Sequence, residues 1–300
     1  MDIRRLHAFV KIIDIGSITR ASAILHIAQP ALSQQIAALE THFGKPLLLR
    51  SKRGVVPTEA GKVLYRHCQM ILRQMNQAEA DISTSSEEIT GSVSIVLAPL
   101  GLGSLVATQL MKTVRDRHPG ISLYINEAVG GGPISEQIMT GKTDVALIFD
   151  PGKMPSLTFE PICTEELYFV GIGLDQAEEG EISFAEALSH PLVLPSPIHT
   201  VRQVIDTTAA RAGVQFQVAG QTESISILAN ALQEGIGCSI LPASATKAVQ
   251  RRVPQAVRCR IRRPNMKINM AICFSAQLPL SEAAAVVRDH LARLATGITQ

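Results

Sequence analysis

The stretch IAQPALSQQIAALE, residues 27–40, sets apolar residues at helical spacing and leaves the opposite side almost free of charge. On a helical wheel Leu32, Ile36, Leu39 and Phe43 share one side, while Pro30, Gln34, Ala37, Ala38 and Thr41 point away. A solvated helix face carries Lys and Glu pairs. A face of small residues and neutral hydrogen-bonding groups suits close approach to another molecule instead.

Upstream, residues 4–14 have helical periodicity through Leu6, Phe9, Val10 and Ile13, and Gly16 stops that helix. Ser17 is a suitable N-cap for a second helix with Ala21, Ile24 and Leu25 as its apolar stripe. The turn HIAQ then leads to Pro30, whose fixed φ suits a first helical turn. Two short helices meeting at a tight turn have the helix-turn-helix layout, in which the second helix offers its N-terminal side chains to the major groove. Gln can present donor and acceptor to adenine, Ser can bond a base or a phosphate, and Ala can sit beside a thymine methyl. Gln29, Pro30, Ser33 and Gln34 are therefore the expected groove residues, and double-stranded DNA the expected partner. Downstream, KPLLLRSKRGVV predicts a basic β-hairpin. Its Lys45, Arg50, Lys52 and Arg53 supply phosphate contacts, which give affinity without sequence information.

Charge distribution agrees. The net +2 of the 300 residues hides 11 basic against 4 acidic residues over positions 1–75, a net +7, and a net −5 over the remainder. The basic end is the one suited to a polyanion. With 46% hydrophobic residues the chain suits about two folded domains. No stretch approaches the roughly 18 apolar residues of a membrane span, so a cytoplasmic protein without a membrane partner is expected. Five scattered cysteines without a CxxC predict buried reduced thiols rather than disulfides or a metal site.

The segment FVKIIDIGSITRASAILHIAQPALSQQIAALETHFGKPLLLRSKRGVVPTEAGK resembles the N-terminal winged helix-turn-helix of LysR-type transcriptional regulators, through QPALSQQI, LE and TEAG in particular. Its IIDIGS and RGVVPT phrases are most similar to the nitrogen assimilation control regulators. Leu48 stands where the family usually has Phe, and Pro57 where it usually has Leu. Both departures bear on wing packing rather than on the groove face. The resemblance implies regulation of transcription by activation or repression, with RNA polymerase as a further partner.

After the wing, Thr58 can cap a helix running to about Ser83, in which Leu64, Cys68, Ile71, Met75, Ala78 and Ile82 form a heptad seam. A homodimer or tetramer is expected from it, and in the family this linker helix pairs between subunits. SEEITGS marks a boundary, with Gly91 breaking the helix. From residue 92 short β-branched runs alternate with helical patterns, which predicts α/β architecture with largely parallel sheets. The overall expectation is an all-α winged helix-turn-helix at 1–58, a linker and dimerisation helix at 59–90, and an α/β effector-binding region at 91–300. The resemblance implies that this last region is a two-lobed periplasmic-binding-protein-like domain, with lobes 92–162 plus 267–300 and 163–266.

Enzyme motifs are missing from the second region. MTGKTD lacks the Gly that a phosphate loop needs at position 136, no GxSxG occurs, and the eight His show no ligand spacing. Binding rather than catalysis is expected, with neither cofactor nor metal. The competing class is a small-molecule sensor or enzyme whose N-terminal domain serves only assembly. A redox sensor is disfavoured because no two cysteines of this region are near in sequence. For a small-molecule effector the candidate loops are APLGLGS at 98–104, AVGGGP at 128–133 and PSPIHT at 195–200, each preceding a predicted helix. Converging helix N-termini suit a small carboxylate or other anion. Gly101, Ser104, Gly130, Gly131, Ser196, Thr200 and Arg202 are the residues expected there.

Overall fold

A computed structural model describes residues 2–51, 54–83, 88–174 and 180–299. The chain divides into two compact units, residues 1–85 with 139–142 and residues 86–138 with 143–300.

In the first unit, α1 (Ile3–Ile15) starts at Asp2, whose carboxylate accepts from the Arg4 amide, and ends at Gly16 in the left-handed region. Ser17 caps α2 (Ile18–Leu25) by accepting from the Arg20 amide at 3.3 Å, and His26 closes it with φ 54°. The helix α3 (Gln29–Phe43) carries Pro30 in its first turn. Strands β1 (Leu48–Ser51) and β2 (Gly54–Pro57) form an antiparallel hairpin, and α4 (Glu59–Ser83) follows. The core gathers Leu6, Phe9 and Ile12 of α1, Ala21 of α2, Leu32, Ile36 and Leu39 of α3, Leu47, and Cys68 of α4. Two expected core residues lie outside it: Ile24 is 58% exposed and Phe43 40%. Phe43 comes in the last turn of α3, where its ring packs edge-on against His42 instead. The two family departures, Leu48 and Pro57, are cross-strand partners in the hairpin, so each is accommodated by the other.

The helix-turn-helix and the wing are fastened to each other by three contacts. Glu40 Oε1 accepts from the amides of Leu47 (2.8 Å) and Leu48 (3.2 Å), so the LE pair of α3 fixes where β1 begins. The Thr58 hydroxyl donates to the Pro46 carbonyl and accepts from the Gly61 amide, which caps α4 and ties it to the same turn. At Gly61 the backbones come so close that an added Cβ would lie 2.0 Å from the Leu47 carbonyl oxygen. Only glycine permits that approach.

The second unit is α/β, with two halves that share the strands of one large sheet and a separate β8-β9 pair. Its first half comprises β3 (Gly91–Leu97), α5 (Gly103–Arg117), β4 (Ile121–Glu127), α6 (Gly131–Met139) and β5 (Val145–Phe149), with parallel β4-β3-β5 pairing. Strand β6 (Leu157–Gly171) then passes into the second half, which holds β7 (Glu181–Ser183), α7 (Phe184–Ser189), β8 (Leu192–Leu194), α8 (Thr200–Ala212), β9 (Val218–Gln221), α9 (Ile225–Gln233), β10 (Ser239–Pro242), α10 (Ala243–Gln250) and β11 (Val257–Arg262). The chain returns through β12 (Lys267–Ser275) to α11 (Glu282–Thr299). The large sheet runs β4-β3-β5-β12-β6-β11-β7, with β10 also on β6. The expectation of largely parallel sheets is corrected at its centre: β12 is antiparallel to β5 and β6, and β6 is antiparallel to β10 and β11. The cause is the return of the chain, because a strand that comes back to the first half must run against the one that left it.

Ile36 is fully buried in the first unit's core. Ile36→Ala should therefore lower the stability of the winged helix-turn-helix by about 2–5 kcal/mol, read as a shift of its denaturation midpoint. A shift within ~0.5 kcal/mol, the size of a surface substitution, would contradict this core.

Candidate nucleic-acid interface and regulatory cleft

Burial of Leu32, Ile36 and Leu39 turns the other side of α3 to solvent, where Gln29, Pro30, Ala31, Gln34 and Ala37 are exposed and Ser33 is half-buried. The N-cap of α3 is Ala28, which makes no side-chain cap, and no acidic residue lies in the first turn. The first amides of α3 are therefore left for an outside acceptor, at the end where the helix dipole is positive. Thr41 on the same side turns inward and donates to the Ala37 carbonyl. Lys45 and Arg50 are exposed at the wing. Lys52 and Arg53, expected at its tip, lie outside the described residues.

On α4 the expected seam splits in two. Cys68 is fully buried and Leu64 packs beside it in the unit's own core, together with Tyr65, whose hydroxyl donates to Asp14. Ile71, Met75 and Ile82 remain exposed at 37%, 39% and 84%, and Val63 at 46%. The uncovered apolar stripe thus involves the later turns of the seam plus Val63, which the heptad reading passed over.

In the second unit three loops meet at a cleft whose cavity is about 20 Å³, lined by Pro99, Ala128, Gly130, Phe149, His199 and Thr200 among others. Gly131 also lines it. Such a volume holds about one water. Four of the expected residues are elsewhere. The Ser104 hydroxyl is turned back to the Gly101 carbonyl at 3.1 Å, and Gly101 lies against the Phe149 ring, where an added Cβ would come within 2.8 Å. Ser196 donates from both amide and hydroxyl to Glu223 Oε1. Arg202 is buried along α8, bonded to Asp206 at 2.7 Å and to the Pro195 carbonyl, and its guanidinium lies over Phe216. An acid one helical turn onward captures the charge that the loop reading had aimed at a ligand.

The residue missed is His199. It is 2% exposed. Its Nδ1 accepts from the Val201 amide at 3.1 Å, capping α8, and its Nε2 donates to the Pro99 carbonyl at 3.2 Å. The ring also packs on Phe149, with centroids 5.4 Å apart. Glu223 Oε2 lies 4.0 Å from Nε2 and has no hydrogen-bond partner among the described residues. The polar groups that face the His199 Nε2–H are acceptors, which is the opposite of what a carboxylate needs there. A His at an N-cap position was the available signal, since N-caps are ordinarily Ser, Thr, Asp or Asn.

All five cysteines are free. Burial pushes the thiols of Cys68 and Cys163 up to about 11 and that of Cys273 up to about 12, and it raises Cys238 and Cys259 as well. Thiolate is scarce under those conditions, so these are packing residues. Among the described residues no helix is long and apolar enough to cross a membrane.

A winged helix-turn-helix whose third helix has an uncapped start and an uncharged exposed face, followed by a long helix and a two-lobed α/β domain with an interlobe cleft, defines a DNA-binding regulator of transcription. The comparisons agree. Residues 3–62 match the model of the bacterial regulatory helix-turn-helix protein, lysR family, and residues 86–296 match the LysR substrate binding domain. The chain belongs to the LysR family of transcriptional regulators. It is 35% identical over 98% of its length, and 95% of the relative's, to nitrogen assimilation regulatory protein nac of Klebsiella aerogenes. Full-length OxyR of Pseudomonas aeruginosa has the same fold, with a TM-score of 0.76 at 20% identity, over 98% of this chain and 94% of that one. CbnR in complex with its target DNA matches with a TM-score of 0.55 at 21% identity, over 98% of this chain and all of that one.

Burial holds the His199 imidazole below its ordinary value, against the opposing pull of the Glu223 carboxylate and the Pro99 carbonyl. On acidification the unfolded chain therefore takes up the proton first. The stability that neutral His199 contributes is full above about pH 6.5 and is lost as the pH falls from there toward the folded value. Between about pH 7 and pH 5 the melting temperature should fall more steeply in the wild type than in His199→Asn. Parallel curves would contradict a buried neutral imidazole. His290, also held low by burial, is common to both proteins and cancels.

Proposed function

We propose that this protein is a cytoplasmic, non-enzymatic regulator that binds an interrupted inverted repeat in duplex DNA as a dimer or a dimer of dimers, and controls genes of nitrogen metabolism. The observation that carries the reading is the bare face of α3: exposed Gln29, Pro30 and Gln34 with half-buried Ser33, beside an uncapped helix N-terminus. Gln34 and Gln29 read base edges, Ser33 and the first α3 amides take a phosphate, and Pro30 sets the entry of the helix into the groove. Arg50, with Lys52 and Arg53 of the same wing, grips flanking phosphates. The exposed stripe on α4 pairs two copies, and two-fold symmetry then asks for half-sites on one face of the duplex. The nitrogen reading rests on the near-full-length similarity to nac. The interlobe cleft, where Gly130, Gly131 and Thr200 meet His199, is the proposed effector site, and it acts by shifting the angle between lobes. RNA polymerase is the further partner that transcriptional control requires.

Binding measured on operator and random DNA over a salt series tests the first part. Gln34→Ala should cost about 1–3 kcal/mol on operator DNA and relax preference at one base position, whereas Arg50→Ala should weaken all sequences alike and lower the salt slope by about 1. Identical effects of both changes on random DNA would overturn the assignment. For assembly, Met75→Asp places a charge in the stripe, and light scattering should show loss of the dimer. An unchanged mass would mean that this stripe is not the interface.

A further inference from the structure

The cleft proposed as the effector site is already filled, and what fills it is a side chain of the protein. His199 belongs to the half of the regulatory unit that follows β6, while its partners Pro99 and Phe149 belong to the half before it. The ring therefore bridges the two lobes, with its N–H on the carbonyl of one and its plane tilted 57° against that lobe's aromatic ring. What remains beside it is room for about one water. On the N–H side two acceptors converge, the Pro99 carbonyl at 3.2 Å and the unpartnered Glu223 Oε2 at 4.0 Å. Glu223 is held there by Ser196, which donates twice to its other oxygen.

We propose that His199 is a built-in occupant of the cleft that closes the lobes without any ligand, and that a ligand enters only by replacing the ring. This proposal rests on the cleft reading given above and names the chemical class that the site takes. The replacement must bring a donor for the Pro99 carbonyl and the Glu223 carboxylate, or it leaves buried acceptors unsatisfied, and a ring to pack against Phe149. Small planar N–H heterocycles meet both demands. Carboxylates and other anions fail the first demand, because they bring acceptors to acceptors and offer no donor.

Removing the ring should create the site outright. His199→Asn keeps a good N-cap for α8 but is too short to bridge the lobes. Imidazole should raise the melting temperature of this variant by about 2–4 °C in a saturable manner and leave the wild type unchanged. At about pH 9, where both azoles are neutral, the 1-methyl derivative has a ring but no N–H and should have no effect on either protein. Equal shifts in wild type and variant, or equal shifts with both azoles, overturn the proposal. A second measurement needs no variant: nitrogen-15 NMR of the wild type should show one histidine as the Nε2–H tautomer with that proton protected from solvent exchange, and finding no such histidine overturns it as well. A promoter gel shift on His199→Asn, with and without imidazole, separates this proposal from the sensor reading. Azole-dependent stabilisation with unchanged DNA binding would leave the occupant in place and remove the cleft as a sensor.

Discussion

One strand holds the regulatory region together. Over residues 157–166 β6 pairs with β12, and over 167–171 it pairs with β10 and β11, so the hydrogen bonds of both lobes are strung along one continuous backbone. The lobes cannot slide apart without breaking that ladder; they can only pivot about it. Midway along, the register against β12 shifts between Met270 and Ala271, whose partners are Cys163 and Pro161. Pro161 has no N–H to give, and a bulge beside it lets the strand bend where the two lobes part. Just beyond, Glu165 is buried and accepts from both the amide and the hydroxyl of Ser244, which anchors the start of α10 to the same strand. Phe149, on which His199 packs, pairs with Met270 at that register shift, so the His199 bridge lies beside the pivot.

The two halves of the molecule differ in how far local sequence determines them. The helix-turn-helix was legible because each of its signals is local: Gly16 and Ser17 mark a stop and a start, and Leu32, Ile36 and Leu39 repeat with the helical period. Strand β6 was legible only from residue 167 onward. Its earlier part, LTFEPICTEE, contains a proline and three acids and reads as loop; it is a strand because β12 lies beside it, a partner about a hundred residues away. The first turns of the α4 heptad seam were misread for the same reason, since Leu64 and Cys68 are claimed by a core that spacing alone does not reveal. For the effector loops, position along the chain was readable but side-chain direction was not. Ser104 bends back to Gly101 and Arg202 runs along its own helix to Asp206, while His199, which reaches the Pro99 carbonyl, passed as an ordinary loop residue.

Polar satisfaction explains why the two functional surfaces look so different. The start of α3 is left without a side-chain cap, so its amides await an acceptor from outside. The start of α8 is capped from within by His199, so its amide is spoken for and the cleft beside it presents carbonyl and carboxylate oxygens. One helix start lacks a side-chain cap, and the other has one supplied by His199.

The contact at Gly61 has a mechanical consequence. Because α4 meets the turn before β1 at backbone distance, with Thr58 bonded to Pro46 and to Gly61, the helix and the wing form one stiff bracket with no give at the corner. A helix of 25 residues is about 37 Å long, so a tilt of ~5° at its far end swings that end by about 3 Å. Run in reverse, any such swing imposed at the far end is delivered undamped to the arm that carries Arg50. The glycine works as a weld: it turns the long helix into a crank, by which a swing of its far end becomes a movement of the wing.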